Sequence, residues 1–408
     1  MPNVIFVAPY FLETTLRFLE GAVNLPGARI GLISTDPESK LPPSIRGKLA
    51  GHFHLDDCLN PAELIRAGHA FRHAWGAVHG MIAALEELQV PMAEARDSLG
   101  VDGLSVKAAH HFRDKSRMKD VLRSHGIPCA RHALADGEGA ALDFAASCGY
   151  PLVVKPPAGA GARSTWRVND EAELKRALAA NPPSAERPVL LEEFVVGREH
   201  SFDSIMVDGE LVWHSISCYY PTPLDVLENP WIQWSVLLPR EIDGPEFDDI
   251  RTAAAKALKV LGLKTGLTHM EWFRRDDGSI AISEVAARPP GAQFTSLISY
   301  AHDLDFYSAW PRLMALNVFT PPTRRWSVGA AYLRGQGQGR VKAIHGIDAA
   351  NREVGPLVVE SKLPRPDEKP SGSYEGEGYV ILRHPETSVV EAGLRTLVST
   401  IRVELGSQ

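Results

Sequence analysis

The sequence predicts a multidomain protein of mixed α/β and α+β class. Three observations carry this. Residues 1–112 alternate short apolar runs with helical patterns, which implies a parallel sheet covered by helices. Two Asp-Gly dipeptides, at 208–209 and 277–278, each lie between runs of alternating polarity and mark antiparallel hairpins. The 408-residue length suits about two to four domains and several sizeable cores. We divide the chain into 1–112, 113–186, 187–321 and 322–408.

The leading segment opens with VIFVA, a buried-type strand. A helical stretch follows around Thr14 to Glu20, then ARIGLIS as a second strand, then helical patterns at Pro61 to Ala70 and His79 to Leu88. No GxGxxG follows the first strand, which argues against a dinucleotide site. A helix starts near Asp114; Met118, Val121 and Leu122 form its apolar stripe, and Gly126 with Pro128 ends it. PLVVKP is a short strand, PAGAGARST a glycine-rich loop, and EAELKRALAA a helix capped by Asp170 with Glu173 that stops before Pro182-Pro183. VLLEEF is a strand, SFDSIMV-DG-ELVWHSIS a hairpin, and Phe247 to Leu261 an amphipathic helix stopped by Gly262. Pro321-Pro322 reads as a linker; beyond it VGAAYL and GYVIL are strand-like, and Ser388 to Ile401 is a closing helix of a small α+β domain.

The balance of 43 basic and 50 acidic residues, net −7, argues against nucleic acid or an anionic membrane as partner. Any cationic site for phosphate must be local. Cys58, Cys129, Cys148 and Cys218 show no CxxC spacing and read as reduced thiols of a cytoplasmic protein. The apolar run from Val4 to Tyr10 has no basic residue before it and Glu13 soon after, so it reads as a strand and not a signal peptide. No apolar run reaches the ~18 residues of a membrane span.

The segment THMEWFRRDDGSIAISEVAARPPG, Thr268 to Gly291, holds the densest chemistry. A two-residue loop at Asp277-Gly278 pairs Asp276 with Ser279, Arg274 with Ala281, Trp272 with Ser283 and Glu271 with Glu284. The two glutamates then face each other about 5 Å apart at Cβ, an arrangement that repels unless a cation lies between them or one is protonated. Period-two alternation places Arg288 on the same face. Two carboxylates and an arginine on a hairpin suit Mg²⁺ and a transferring phosphate.

Three further segments add to this. Lys155 ends a strand, and Gly159 and Gly161 follow, a pattern that lets backbone N–H groups wrap an anion; a flexible turn with a snorkelling lysine is the alternative. Lys115 lies in the first turn of its helix, where free N–H groups favour phosphate; a solvated lysine is the alternative. Glu192-Glu193-Phe194-Val195 runs from a strand into irregular chain that can read an adenine edge, and Glu199 can accept from ribose hydroxyls; a charged strand edge is the alternative. His200 and His269 read as ordinary polar residues, and Trp231, Trp234, Tyr219 and Tyr220 as core packing ahead of a substrate wall. No GxSxG or Cys-His signature marks a nucleophile.

In this order the segments RDKSRMKDVLRSHGIP, VVKPPAGAGA, LLEEFVVGREHSFD and HMEW…ISEVAAR resemble the ATP-grasp superfamily from about Phe112 to Tyr300, nearest to the bacterial L-amino acid ligases of the bacilysin-synthetase type. Many members carry asparagine two residues after the second glutamate; here Ala286 stands there, and the E-x-A-A-R pattern Glu284 to Arg288 resembles the amino acid ligases. The resemblance implies an ATP-grasp fold with an N-terminal Rossmann-like domain and a small C-terminal α+β domain. It implies ATP phosphates held by Lys115, Lys155 and the loop Gly159, Gly161 and Ala162, the last three forming a lid. It implies adenine at Glu192, Glu193, Phe194 and Val195, ribose at Glu199, two Mg²⁺ (or Mn²⁺) at Glu271 and Glu284, and Arg288 on the transferring phosphoryl group and the substrate carboxylate. The implied reaction joins a carboxylate and an amine, each a small molecule and each an amino acid in this family, through an acyl phosphate; a homodimer is also implied. Activation of formate or bicarbonate, as in purine-pathway or biotin-carboxylase-like enzymes, and a non-catalytic nucleotide sensor are the alternatives.

Overall fold

The computed structural model describes residues 1–159, 164–229 and 231–406. The leading segment holds β1 (Asn3–Val7), α1 (Glu13–Val23), β2 (Arg29–Ser34), α2 (Pro43–Arg46), β3 (His52–His54), α3 (Pro61–Trp75), β4 (Gly80–Ile82), α4 (Gln89–Leu99) and α5 (Val106–Arg113). Its sheet is parallel, in the order β3-β2-β1-β4. β1 is buried along its whole length, which is why it reads as an unbroken apolar run. The helix expected over His79 to Leu88 is not formed. Gly80, Met81 and Ile82 are buried and pair with β1, and the helix itself begins at Gln89, with Pro91 in its first turn. A short apolar run bounded by no clear turn signal does not separate buried strand from buried helix.

The second segment holds α6 (Lys115–Ser124), β5 (His132–Ala135), α7 (Glu138–Cys148), β6 (Leu152–Lys155), β7 (Trp166–Val168), α8 (Glu171–Ala180) and β8 (Val189–Glu193). The strands form an antiparallel sheet, β5-β8-β6-β7, over a core of Ala141, Ala145, Leu152, Val154, Leu174 and Leu178. The Asp170 side chain caps α8 by accepting from the Glu173 N–H at 2.8 Å.

The rest comprises β9 (Arg198–Val207), β10 (Glu210–Tyr220), α9 (Pro223–Glu228), β11 (Trp234–Leu238), α10 (Asp248–Leu261), β12 (Gly266–Arg274), β13 (Ile280–Ala286), α11 (Phe294–His302) and α12 (Phe306–Leu316). It continues with β14 (Ser327–Leu333), β15 (Gly335–Gly337), β16 (Arg340–His345), α13 (Ile347–Val354), β17 (Val358–Lys362), β18 (Gly378–His384), α14 (Thr387–Thr400) and β19 (Arg402–Gly406). Eight strands make one antiparallel sheet in the order β13-β12-β9-β10-β11-β14-β18-β17. The division at 321–322 therefore crosses a continuous sheet, since β14, β17 and β18 extend it. α14 packs closely on β14: a Cβ at Gly329 would lie 2.6 Å from Leu394 Cδ1.

The two Asp-Gly turns differ. Asp208 and Gly209 both have positive φ, 51° and 85°, as a type I′ turn requires. At the second, Arg275 N–H donates to Ser279 O at 2.8 Å and Gly278 N–H to Arg275 O at 3.0 Å, with φ 85° at Gly278. This is a three-residue loop, not the two-residue loop expected.

Three histidines are built into the large sheet and its helices as neutral rings. His200 stacks on Trp272, His214 lies flat on Phe202, and His302 packs edge-on against Trp213. Burial pushes each imidazole down to about 4. The unfolded chain then takes up protons between about pH 6.5 and pH 4 that the folded chain refuses, so stability is full above that window and lost on acidification through it. Each ring contributes up to roughly 3 kcal/mol of this loss. We expect the thermal midpoint to fall steeply from pH 6.5 to 4, and His214→Phe to flatten part of the fall. An unaltered acid profile in that variant would exclude His214 as a contributor.

Candidate functional site

The site lies where the small sheet, α6 and the end of the large sheet meet. Asp114 caps α6, accepting from Ser116 N–H at 2.9 Å and Arg117 N–H at 3.0 Å. That start sets Lys115 and Lys119 one turn apart on the same face. Lys115 Nζ is 2.9 Å from Glu284 Oε1 and donates to Gly159 O at 2.9 Å. Lys119 is 0% exposed; its ammonium lies 3.2 Å from Glu192 Oε1 and donates to Ser283 O.

Glu271 and Glu284 are direct partners across β12 and β13, as expected, but by two compensating departures. The loop is one residue longer than expected, and a bulge with Ser283 as its extra residue lies between the Glu271–Glu284 and Trp272–Ile282 pairs. Each shifts the register by one, so the glutamates meet while the Trp272–Ser283 and Arg274–Ala281 pairs do not form. β13 is the edge strand of the sheet. Its outer backbone groups are covered: Ile282 N–H donates to Pro128 O, Val285 N–H to Met118 Sδ, and Ser283 O accepts from Lys119.

Period two gathers further polar side chains on the same face. Glu271 pairs with Ser201 and His269 with Asp203 on β9, and Glu199 is two residues from Ser201. Glu199 is 8% exposed; burial, and then the Glu271 charge, hold its carboxyl well above the usual range. Burial presses on Glu284 in the same direction, but Lys115 and Lys155, with Arg288 beyond, outweigh it and hold that carboxyl below the usual range. His269 Nδ1 is 2.6 Å from Asp203 Oδ1, and its Nε2 is 3.7 Å from Glu271 Oε1. Burial opposes its charge, yet the two carboxylates push it up to about 10.

Glu192 does not point to an open cleft. Its carboxylate lies between Lys155 Nζ, at 2.9 Å, and Lys119 Nζ; burial would raise it, but the two ammonium groups hold it down to about 2. Glu193 bridges Arg131 at 2.7 Å and Arg275 at 2.6 Å. The Glu193 and Phe194 N–H groups donate to Arg131 O and Pro151 O, and the Phe194 ring lies under the Arg167 guanidinium. Val195 is half-buried beside them.

Arg288 follows the end of β13 and is held from outside the sheet. Its Nε donates to Glu86 Oε2 at 2.5 Å and its Nη1 to Pro289 O at 2.8 Å. Glu86 comes from the turn after β4 and is 6% exposed. Gly161 and Ala162 lie outside the described residues. The aromatic group splits: Trp234 and Tyr219 are core, whereas Trp231 and Tyr220 are exposed.

Sequence reading passed over Lys119 and Glu86 and gave His269 no role. Lys119 had a usable signal, its four-residue spacing from Lys115; Glu86 had none.

The donor set fits a hard divalent ion. Two facing carboxylates supply oxygens, and Lys115 now neutralises one of them, the part a cation would take. Among the described residues no group of three or more His, Cys, Asp or Glu is arranged to hold an ion by itself. Such an ion would therefore share its coordination with phosphate oxygens, as Mg²⁺ commonly does.

Residues 120–299 match the ATP-grasp domain family. The L-arginine-specific L-amino acid ligase of Bacillus subtilis is 23% identical over 232 residues, which cover 56% of this chain and 54% of that protein. The match thus spans about half the length of this curated relative. The crystal structure of an L-amino acid ligase from Bacillus licheniformis superposes with a TM-score of 0.78 at 17% identity, covering 100% of this chain and 99% of that one. N5-carboxyaminoimidazole ribonucleotide synthetase from Thermotoga maritima superposes with a TM-score of 0.69 at 16% identity, over 100% of both chains. These likenesses establish the ATP-grasp fold. No helix among the described residues is long and apolar enough to cross a membrane.

Proposed function

We propose that the chain is an ATP-dependent carboxylate–amine ligase that forms an amide between amino acids through an acyl phosphate. The observation that carries this reading is the convergence of Lys115, Glu271 and Glu284 with Lys155 and Arg288 at one junction. Phosphoryl transfer asks chiefly for alignment and charge neutralisation, and this inventory supplies both.

In this reading Lys155 and Lys115 hold the triphosphate, and the backbone from Glu193 to Val195 meets adenine with its groups not already bonded within the chain. Glu192 serves by holding Lys155 and not by touching the base. Glu199, with its raised carboxyl, can donate as well as accept toward ribose hydroxyls. Mg²⁺ held by Glu271 and Glu284 would neutralise the β- and γ-phosphate oxygens. Lys115, which pairs with Glu284 here, would be free to meet the phosphates if Glu284 held a divalent ion.

A donor carboxylate oxygen attacks the γ-phosphorus; that O–P bond forms as the bond to ADP breaks. The Arg288 fork steadies the equatorial oxygens. An amine nitrogen then attacks the acyl carbon, the C–N bond forms, and phosphate departs with the C–O bond broken and one amine proton lost to water. The acyl phosphate hydrolyses readily, so the site must exclude water while that intermediate exists.

The test is phosphate release with ATP, Mg²⁺ and pairs of amino acids, with products identified by mass. One ADP and one phosphate per new amide, of combined mass less one water, is the expected result. ADP release that depends on bicarbonate or formate, with no amide, would replace this reading with the carboxylase-like one. No ATP turnover across the panel would leave a nucleotide-binding protein without chemistry.

A further inference from the structure

Lys119 has an environment that packing alone does not explain. It is an ammonium with no exposure, and among the described residues its anionic partner is Glu192, which it shares with Lys155. Burying a charge costs several kcal/mol unless it is paired and bonded, and half of one carboxylate is thin compensation. Three separate pieces of the fold meet at this nitrogen: α6, which carries it; β8 of the small sheet, through Glu192; and β13 of the large sheet, through Ser283 O. Ser283 is the extra residue of the bulge and immediately precedes Glu284. One turn earlier on the same helix face, Lys115 holds Glu284 itself. A closed chain of contacts results, from Lys155 through Glu192 and Lys119 to Ser283 and Glu284, and back to α6 at Lys115.

We propose that Lys119 is a positioning residue that couples the phosphate-facing Lys155 on the small sheet to the metal-binding edge strand of the large one. This deepens the ligase reading and rests on it for the nucleotide. Without Lys119, Glu192 is left to Lys155 alone and draws that ammonium away from an incoming phosphate, while Ser283 loses the bond that holds the bulge against α6. With Lys119 in place, Lys155, Lys119 and Glu192 together carry one positive charge in excess, which a bound phosphate satisfies, so the pair of sheets is set for its anion before it arrives.

The test is a double-mutant cycle on binding of a non-hydrolysable ATP analogue with Mg²⁺, by calorimetry. Lys119→Met is expected to weaken binding about tenfold, and Lys155→Met by at least as much. The double variant should be no more than about threefold weaker than Lys155→Met, because Lys119 acts through Lys155. Lys119→Arg should restore affinity. Additive effects, or unchanged affinity in Lys119→Met, would overturn the proposal, since loss of packing alone would add to the Lys155 effect in full. Should Lys119→Met fail to fold, Glu192→Gln breaks the same link from β8 and must show the same non-additivity. A wild-type protein that binds no nucleotide would overturn the ligase reading together with this one, whereas nucleotide binding with additive effects overturns this one alone.

Discussion

Arg288→Ala is expected to lower turnover by about 10²–10³ while the affinity for Mg²⁺-nucleotide stays within a few-fold. The geometry sets this split. Arg288 lies past the end of β13, near Glu284, and its side chain bonds to Glu86 and Pro289 O, so the contacts proposed for adenine and ribose do not depend on it. Its guanidinium is kept from swinging by the 2.5 Å bond to Glu86 and by the bond to Pro289 O. A fork held in place before the reaction costs no reorganisation when charge develops on the migrating phosphoryl group. Arg288→Lys should rescue poorly, because a point charge does not copy two parallel donors. The substitution also strands Glu86, whose other cation, Arg113, is 3.8 Å away, so a stability loss of roughly 1–3 kcal/mol should accompany it. Steady-state kinetics and calorimetry on the same preparation check both halves. Normal turnover would remove Arg288 from the chemistry.

Glu284→Ala is expected to abolish the Mg²⁺-dependent part of nucleotide binding, a weakening of about 10–100-fold in Mg²⁺. The ion pair in the structure adds an opposite expectation for the metal-free protein. Glu284 there occupies the Lys115 ammonium at 2.9 Å, so its removal frees that lysine for phosphate. Nucleotide binding in chelator should be tighter. Titrations with and without Mg²⁺ therefore cross over between wild type and variant. An unchanged titration in Mg²⁺ would refute the metal assignment.

The facing glutamates show how local signals can reach a correct pairing by an incorrect path. Asp277-Gly278 between alternating runs was sufficient to place Glu271 against Glu284, because the side-chain period of a strand is two and the buried face tolerates no net slip. A loop longer by one residue and a bulge at Ser283 cancel, and turn composition does not report either one. Lys115 and Lys155 were legible from helix start and strand end. Glu192 was legible as part of a charged strand end, but its partners were not.

The order of charged motifs, the hairpins and the helix caps are properties of neighbours in the chain, so the sequence was enough to lay out the ATP-grasp fold and to nominate residues for the candidate site. Partnerships across space were another matter. Lys119 meets Ser283 across 164 positions, Arg288 meets Glu86 across 202, and His269 meets Asp203 across 66. The same holds for the strands beyond Pro322 that extend the large sheet. A charge reveals its role only through the counter-charge that burial brings against it, and which residues share a buried space is settled when sheets and helices pack.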